Sequence, residues 1–370
     1  MFADIRPFQD AEVKTVLKTT LNDPALAKAM GSWLAPGLNK RAPWLLQPLI
    51  RALLKLYLWS VTDVASFQQK LSPLVSRLLK KSVAEFSVHG LDRLDKQKAY
   101  LFVSNHRDIV MDPAMLNWAL YQSGFQTARI AVGDNLLSQP FSANLMRLNK
   151  SFIVKRGITG LKARFKAAQE LSRYIHYSIL DESASIWIAQ REGRSKDGYD
   201  RTNPAVIGMF SLSKPKLRAY SEYINELNIV PVAISYELDP LDLAKARELY
   251  ALQTNGDYVK RKNEDLNSIA RGMTGWKGRV HLEFGEVLQG QFETDDEVAE
   301  HIDTQIHQIY QSFPTNDWAE ACLNNNVGEI ANANVETLKQ RVESARAELR
   351  PYILKQYANG LRMRRGEAPL

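Results

Sequence analysis

Short apolar runs at residues 100–104, 128–132, 152–154, 185–189, 229–236 and 279–284 constrain this chain more than any other feature. Each is short and rich in β-branched or aromatic residues, so each reads as a strand. Helical spacing lies between some of them, most clearly over 160–178, where Leu161, Phe165, Ala168, Leu171 and Ile175 recur on one face. Such alternation predicts an α/β fold with a mixed, largely parallel central sheet flanked by helices. The ends read differently. The first 85 residues are apolar-periodic and helical, with prolines at 36, 43, 48 and 73 as punctuation. Past Gln291 the chain returns to helix over 296–312 and from about 335 to Arg350, where Pro351 is expected to interrupt or bend it. The division by texture is therefore 1–85, a helical region open to a membrane-interfacial role; 86–290, the α/β domain; and 291–370, a second helical region.

With 370 residues, 45% of them hydrophobic, the chain can bury one large core or two modest ones. A net charge of +7 favours an anionic partner: nucleic acid, a membrane surface or a phosphorylated substrate. No nucleic-acid recognition motif accompanies that charge. Cys322 is the single cysteine, which excludes an internal disulfide and any cysteine-rich metal site. The six histidines, at 89, 106, 176, 281, 301 and 307, are scattered, and no metal is expected. Neither a signal peptide nor a spanning helix is expected. The nearest approach to a span, Trp44 to Val61, is broken by Arg51 and Lys55. That stretch reads either as a bundle helix or as a helix lying in a membrane interface.

The run Tyr100-Leu101-Phe102-Val103 empties into Asn105-His106-Arg107-Asp108-Ile109-Val110-Met111-Asp112-Pro113. An imidazole at the end of a strand, with carboxylates close behind, stands where α/β proteins usually keep their chemistry. Histidine oriented by a carboxylate is a general base for an alcohol at neutral pH. Three further stretches follow in order. Ser151-Phe152-Ile153-Val154 delivers Lys155 and Arg156. Ile186-Trp187-Ile188-Ala189 opens into Gln190-Arg191-Glu192-Gly193-Arg194-Ser195. Ile229-Val230-Pro231-Val232 puts a proline inside a strand, which implies an edge position or a bulge.

Taken together, and over roughly residues 85–290, these four blocks resemble the glycerolipid acyltransferase superfamily, which includes glycerol-3-phosphate and lysophosphatidate acyltransferases. That family's first block is a histidine and an aspartate separated by four residues, its second a Phe-Ile-x-Arg-like strand. Its third is a Glu-Gly-x-Arg-Ser loop and its fourth an apolar strand around a proline. One departure is plain: five residues separate His106 from Asp112. Either the turn carries one extra residue and Asp112 partners the imidazole, the favoured reading, or Asp108 takes over. Asp112 also fits as the N-cap of a helix with Pro113 at its first position.

The resemblance implies transfer of a fatty acyl group from acyl-CoA or acyl carrier protein (acyl-ACP) to a hydroxyl of glycerol-3-phosphate or lysophosphatidate, in phospholipid synthesis. His106 and its carboxylate would be catalytic. Lys155, Arg156 and Arg194 would hold the acceptor phosphate, with Glu192, Gly193 and Ser195 completing the substrate site. Asn105 and Pro231 would be structural neighbours. No cofactor is implied beyond the thioester co-substrate, and the place of action would be the cytoplasmic face of a membrane, peripherally bound. A different class remains open, a non-catalytic lipid- or carrier-binding protein on the same fold. Protein kinase chemistry is excluded, because Pro113 stands where His106-Arg107-Asp108 would require an asparagine.

Overall fold

The computed structural model describes residues 1–137, 139–261, 264–326 and 330–370. Seven strands are present among them: β1 Glu85–His89, β2 Leu101–Ser104, β3 Arg129–Gly133, β4 Ser151–Val154, β5 Ile186–Ala189, β6 Ile229–Tyr236 and β7 Arg279–Phe284. The chain forms two compact units, one of residues 1–76 with 129–174 and the other of 77–128 with 175–370. Compactness thus follows contacts formed far apart in sequence, whereas the three-part division at 85 and 290 followed texture.

In the second unit β1 pairs parallel with β7, β7 antiparallel with β6, and β6 and β5 both parallel with β2. The sheet is mixed and mostly parallel, as the alternating pattern predicts. All eight residues of β6 and all four of β2 are buried, which explains why both read as continuous apolar runs. β1 was not among the expected strands. It lies at the edge of the unit's sheet, and its Glu-Phe-Ser-Val-His pattern is exposed at both ends.

Pro231 corrects an expectation: it sits in β6 between two neighbours, paired with Val103 of β2, not at an edge. In extended backbone the N–H and C=O of one residue face the same side. The carbonyls of Ile229 and Pro231 accept from the amides of Leu288 (2.7 Å) and Gly285 (2.8 Å), just beyond the end of β7. The donor that proline lacks therefore faces the place where the β7 ladder has already stopped.

The C-terminal helices belong to this unit's core. Trp318, Ala319, Leu338, Val342, Ile353 and Tyr357 pack together with Leu238 and Ala246. The break in the charged stretch falls at Ala345, after the Ala333–Ser344 helix. Pro351 then lies in the first turn of the Arg350–Arg364 helix, where its missing N–H costs nothing.

In the first unit β3 and β4 are parallel, Ile130 opposite Ser151. The amide of Ile153 donates to the carbonyl of Ile5 (2.9 Å), tying the N-terminal segment to β4. A helical core of Val13, Leu17, Leu21, Leu26, Leu58, Val61, Phe67 and Leu148 fills the unit. Pro36 and Pro43 open helices, as punctuation should. Pro48 and Pro73 lie inside the Pro43–Tyr57 and Val64–Ser82 helices instead. Among the described residues no helix is long and apolar enough to cross a membrane.

Candidate active site

β2 ends at Ser104, and the next six residues form an extended turn before the Met111–Gln122 helix. Asn105 locks that turn. Its buried amide donates to Asp200 Oδ2 (2.9 Å) and to the Ile234 carbonyl (3.0 Å), and its Oδ1 accepts from the Ile234 amide (2.7 Å). With donors and acceptor all used, a buried polar group becomes a brace between β2, β6 and the loop after β5.

His106 Nδ1 lies 2.8 Å from Asp112 Oδ2. The same oxygen accepts from the amides of Arg107 (2.6 Å) and Asp108 (2.9 Å), while Oδ1 accepts from the Tyr236 hydroxyl (2.7 Å). Asp112 is fully buried, and these donors offset the cost of taking a carboxylate out of water. An ionised Asp112 fixes the imidazole tautomer: the proton sits on Nδ1 and Nε2 presents its lone pair. The ring keeps 13% of its side-chain surface exposed and meets Trp187 edge-to-face, centroids 5.5 Å apart. Trp187 is itself held by a bond from Nε1 to Ser104 Oγ (2.8 Å).

The extra residue in the His–Asp spacing is thus absorbed by the turn. Asp108 does not reach the imidazole; its Oδ1 accepts from the amides of Val110 (3.0 Å) and Met111 (2.9 Å) at the start of the helix. The capping expected of Asp112 falls to Asp108, and Val110, not Asp112, stands at the N-cap. Asp108 Oδ2 is buried without a partner among the described residues. Burial, and next the charge of Asp112, push its carboxyl above the ordinary carboxylate range. Gly272 makes room for it: a Cβ there would stand 1.9 Å from Asp108 Oδ2.

The loop after β5 joins this site directly. The Ser195 amide donates to the His106 carbonyl (2.7 Å), and Ser195 is buried. Gly193 has φ +76°, a conformation that glycine adopts without strain. Glu192 is exposed. Arg194 is half-buried, and its guanidinium has no hydrogen-bond or ion-pair partner among the described residues. Arg107, by contrast, is spent on structure, in a buried ion pair with Asp200 (2.6 Å), and Lys245 Nζ donates to its carbonyl (2.9 Å).

Lys155 and Arg156 follow β4 in the other compact unit. The Lys155 ammonium is engaged by Asp4 and by Glu170 (3.3 Å), and the bond to Asp4 raises its pKa. Arg156 lies against Gly133, where an added Cβ would come within 3.0 Å of its Nε. Structure therefore brings His106, Asp112, Asn105 and the 192–195 loop together in one unit. Tyr236 and Trp187 join them. Sequence reasoning saw both only as strand residues, because their partners lie more than eighty positions away.

A search of the curated proteins returns no match. Among solved structures the chain is similar to the 1-acyl-sn-glycerophosphate (LPA) acyltransferase PlsC from Thermotoga maritima. The identity is 14% and the TM-score 0.38, over 76% of this chain and 92% of that one. Residues 85–235 match the family described as Acyltransferase. That matched segment, less than half of the chain, runs from β1 through the histidine turn and the 192–195 loop to β6.

Proposed function

We propose that this chain is an acyltransferase that moves a fatty acyl group from acyl-CoA or acyl-ACP to a hydroxyl of glycerol-3-phosphate or lysophosphatidate, with His106 as general base. The observation that carries the reading is the His106–Asp112 contact at 2.8 Å, its carboxylate braced from behind by Tyr236. Nε2 takes the acceptor's hydroxyl proton as that oxygen attacks the thioester carbonyl. The tetrahedral intermediate collapses with cleavage of the C–S bond. The imidazolium then returns its proton to the departing thiolate, leaving ester and free thiol. This is the base-and-orienter half of a serine-hydrolase triad, with the substrate alcohol in place of an enzyme serine.

Arg194, with no protein partner among the described residues, is the cation best disposed to take the acceptor phosphate as a paired hydrogen-bond donor. Lys155 and Arg156 are phosphate ligands only by family resemblance, and the Lys155 ammonium is already engaged by Asp4 and Glu170. Glu192, Gly193 and Ser195 shape the loop that presents Arg194.

The site of action we infer is the cytoplasmic membrane surface. The segment 24–62 contains no Asp or Glu and five cations, Lys28, Lys40, Arg41, Arg51 and Lys55. Within it the Pro43–Tyr57 helix buries Leu46 and Ile50 but exposes Trp44, Leu45, Leu49, Leu53 and Leu56 on another face. Packing explains the first set alone; a large exposed apolar face edged by cations suits an anionic bilayer.

Radiolabelled acyl donors of both kinds, offered with both acceptors to wild type and His106→Ala, test the reading. Transfer that collapses in the variant supports it. Transfer that persists there removes His106 from the chemistry, and binding of acyl carriers with no transfer by wild type would make the chain a carrier-binding protein.

A further inference from the structure

Two of the histidines that look scattered in sequence converge on the outer strands of the second unit. Ser87 of β1 stands opposite His281 of β7, and His89 opposite Glu283, so four side chains share one face of two paired strands. The donor atoms of His89, His281 and Glu283 all lie within 4.8 Å of one another. His281 stands opposite Ser235 of β6 and Glu283 opposite Ala233, whereas Tyr236, the next residue along β6, points to the other face and reaches Asp112, so the cluster lies on the opposite face of the sheet from the side chain that braces the partner of His106. We propose that His89, His281 and Glu283 form a binding site for a divalent transition-metal ion, zinc in the first instance, separate from the acyl-transfer site.

The donor set is two imidazole nitrogens and one carboxylate oxygen, the mixture that suits zinc and its neighbours and leaves a fourth position for water. Zinc–ligand bonds of about 2.0–2.1 Å in a tetrahedron place ligand atoms roughly 3.3 Å apart. His281 Nε2 and Glu283 Oε2 are already separated by 3.1 Å. Only the His89 side chain has to close in, and it is exposed and free to turn. Its ring already packs edge-to-face on His281, centroids 4.9 Å apart.

The surroundings prepare His281. It is buried, and Ser87 Oγ lies 2.8 Å from its Nδ1. A serine hydroxyl both donates and accepts, so it can accept a hydrogen bond from Nδ1–H when Nε2 turns its lone pair to a metal. That is the orienting role that outer partners play for metal-bound histidines. Arg93 approaches Glu283 through the other oxygen, Oε1 (3.9 Å), and is anchored on the Phe284 carbonyl (2.5 Å). Oε2 remains for the ion while Arg93 keeps its contact.

Titration of the full chain with Zn2+, and with Co2+ followed by its visible absorption, tests the site. One ion per chain should bind. His89→Ala and His281→Ala should each weaken binding by at least about 10- to 100-fold, and Ser87→Ala by about 10-fold. The control His301→Ala should leave it unchanged. His89→Ala removes an exposed side chain, so it tests the site even if His281→Ala perturbs folding. No binding, or equal affinity in wild type, His89→Ala and His281→Ala, overturns the proposal, the latter because the ion then sits elsewhere.

Discussion

Tyr236 donates its hydroxyl to Asp112 Oδ1 at 2.7 Å, the oxygen turned away from His106. Burial first, and the neighbouring Asp112 next, hold the phenol far above its ordinary pKa, so it stays a donor across the working pH range. Tyr236→Phe keeps the volume and removes one of the carboxylate's donors. The expected cost is about 1.5–3 kcal/mol of folding stability, the worth of a hydrogen bond to a charged group. Urea denaturation checks it; a loss of only a few tenths would mean that Tyr236 is mere packing.

Removal of the base should strike turnover. His106→Ala is expected to lower kcat by about 100- to 10,000-fold with little change in acceptor KM. Asp112→Asn should fall in the same range, because an amide that donates to Nδ1 enforces the wrong tautomer. Steady-state kinetics with a single donor and acceptor decide the matter. A full-rate Asp112→Asn enzyme would break the assignment of the dyad.

Arg194 and Lys155 should part company. Arg194→Ala is expected to raise the acceptor KM by about 10- to 100-fold and leave the thioester KM alone. Lys155 is already shared by Asp4, which is exposed, and Glu170, which is half-buried. Loss of its ammonium should cost no more than about 1 kcal/mol of stability, as for other surface pairs. Acceptor KM for both variants is the readout, and an Arg194→Ala enzyme with unaltered KM sinks the phosphate assignment.

Asp108 should make stability fall as pH rises. Its folded pKa is raised, so between the unfolded carboxylate value and that raised value the native state binds more protons than the unfolded one. The slope of stability against pH is then negative in that window. Asp108→Asn keeps an Oδ1 acceptor for Val110 and Met111 but does not titrate. Relative to wild type it should gain stability as pH climbs above about 4. Denaturation midpoints for both proteins across pH 4–8 measure the difference, which ought to grow, not shrink.

Lys277 should act in the opposite sense at the alkaline end. Burial pushes its pKa down to about 8, so above that pH the unfolded chain binds the extra proton and stability rises with pH. Lys277→Met removes this dependence. Wild type should therefore gain on the variant between pH 8 and about 10, as read by thermal melts.

How much of this was legible beforehand depended on the range of the interaction. The buried strands were found nearly to the residue, because their apolar character is local: β6 at 229–236 coincides with the expected run. β1 escaped since an edge strand with both ends in water carries no such signal. Pro231, expected at an edge or a bulge, sits in an interior strand, because nothing local reveals that its neighbouring ladder stops short. Pro48 and Pro73 were read as boundaries and lie within helices. At the site, the His106–Asp112 pairing follows from the family resemblance despite the longer spacing, but the division of labour with Asp108 turns on two amides in the turn. Tyr236, Trp187 and the His89–His281 convergence were out of reach, for each is made by strands that meet only in three dimensions. Likewise no local pattern announces that Lys155 will find Asp4 across 151 residues.

The amide of Ser195 hangs on the carbonyl of His106 itself. Arg194 is the residue just before it, so the strap that carries the free guanidinium is stitched to the peptide that carries the ring. A shove on one travels to the other through a single amide. With Arg194 as the proposed anion ligand and His106 as the proposed base, capture and alignment would be mechanically one event, and substitutions that loosen the strap should blunt both at once.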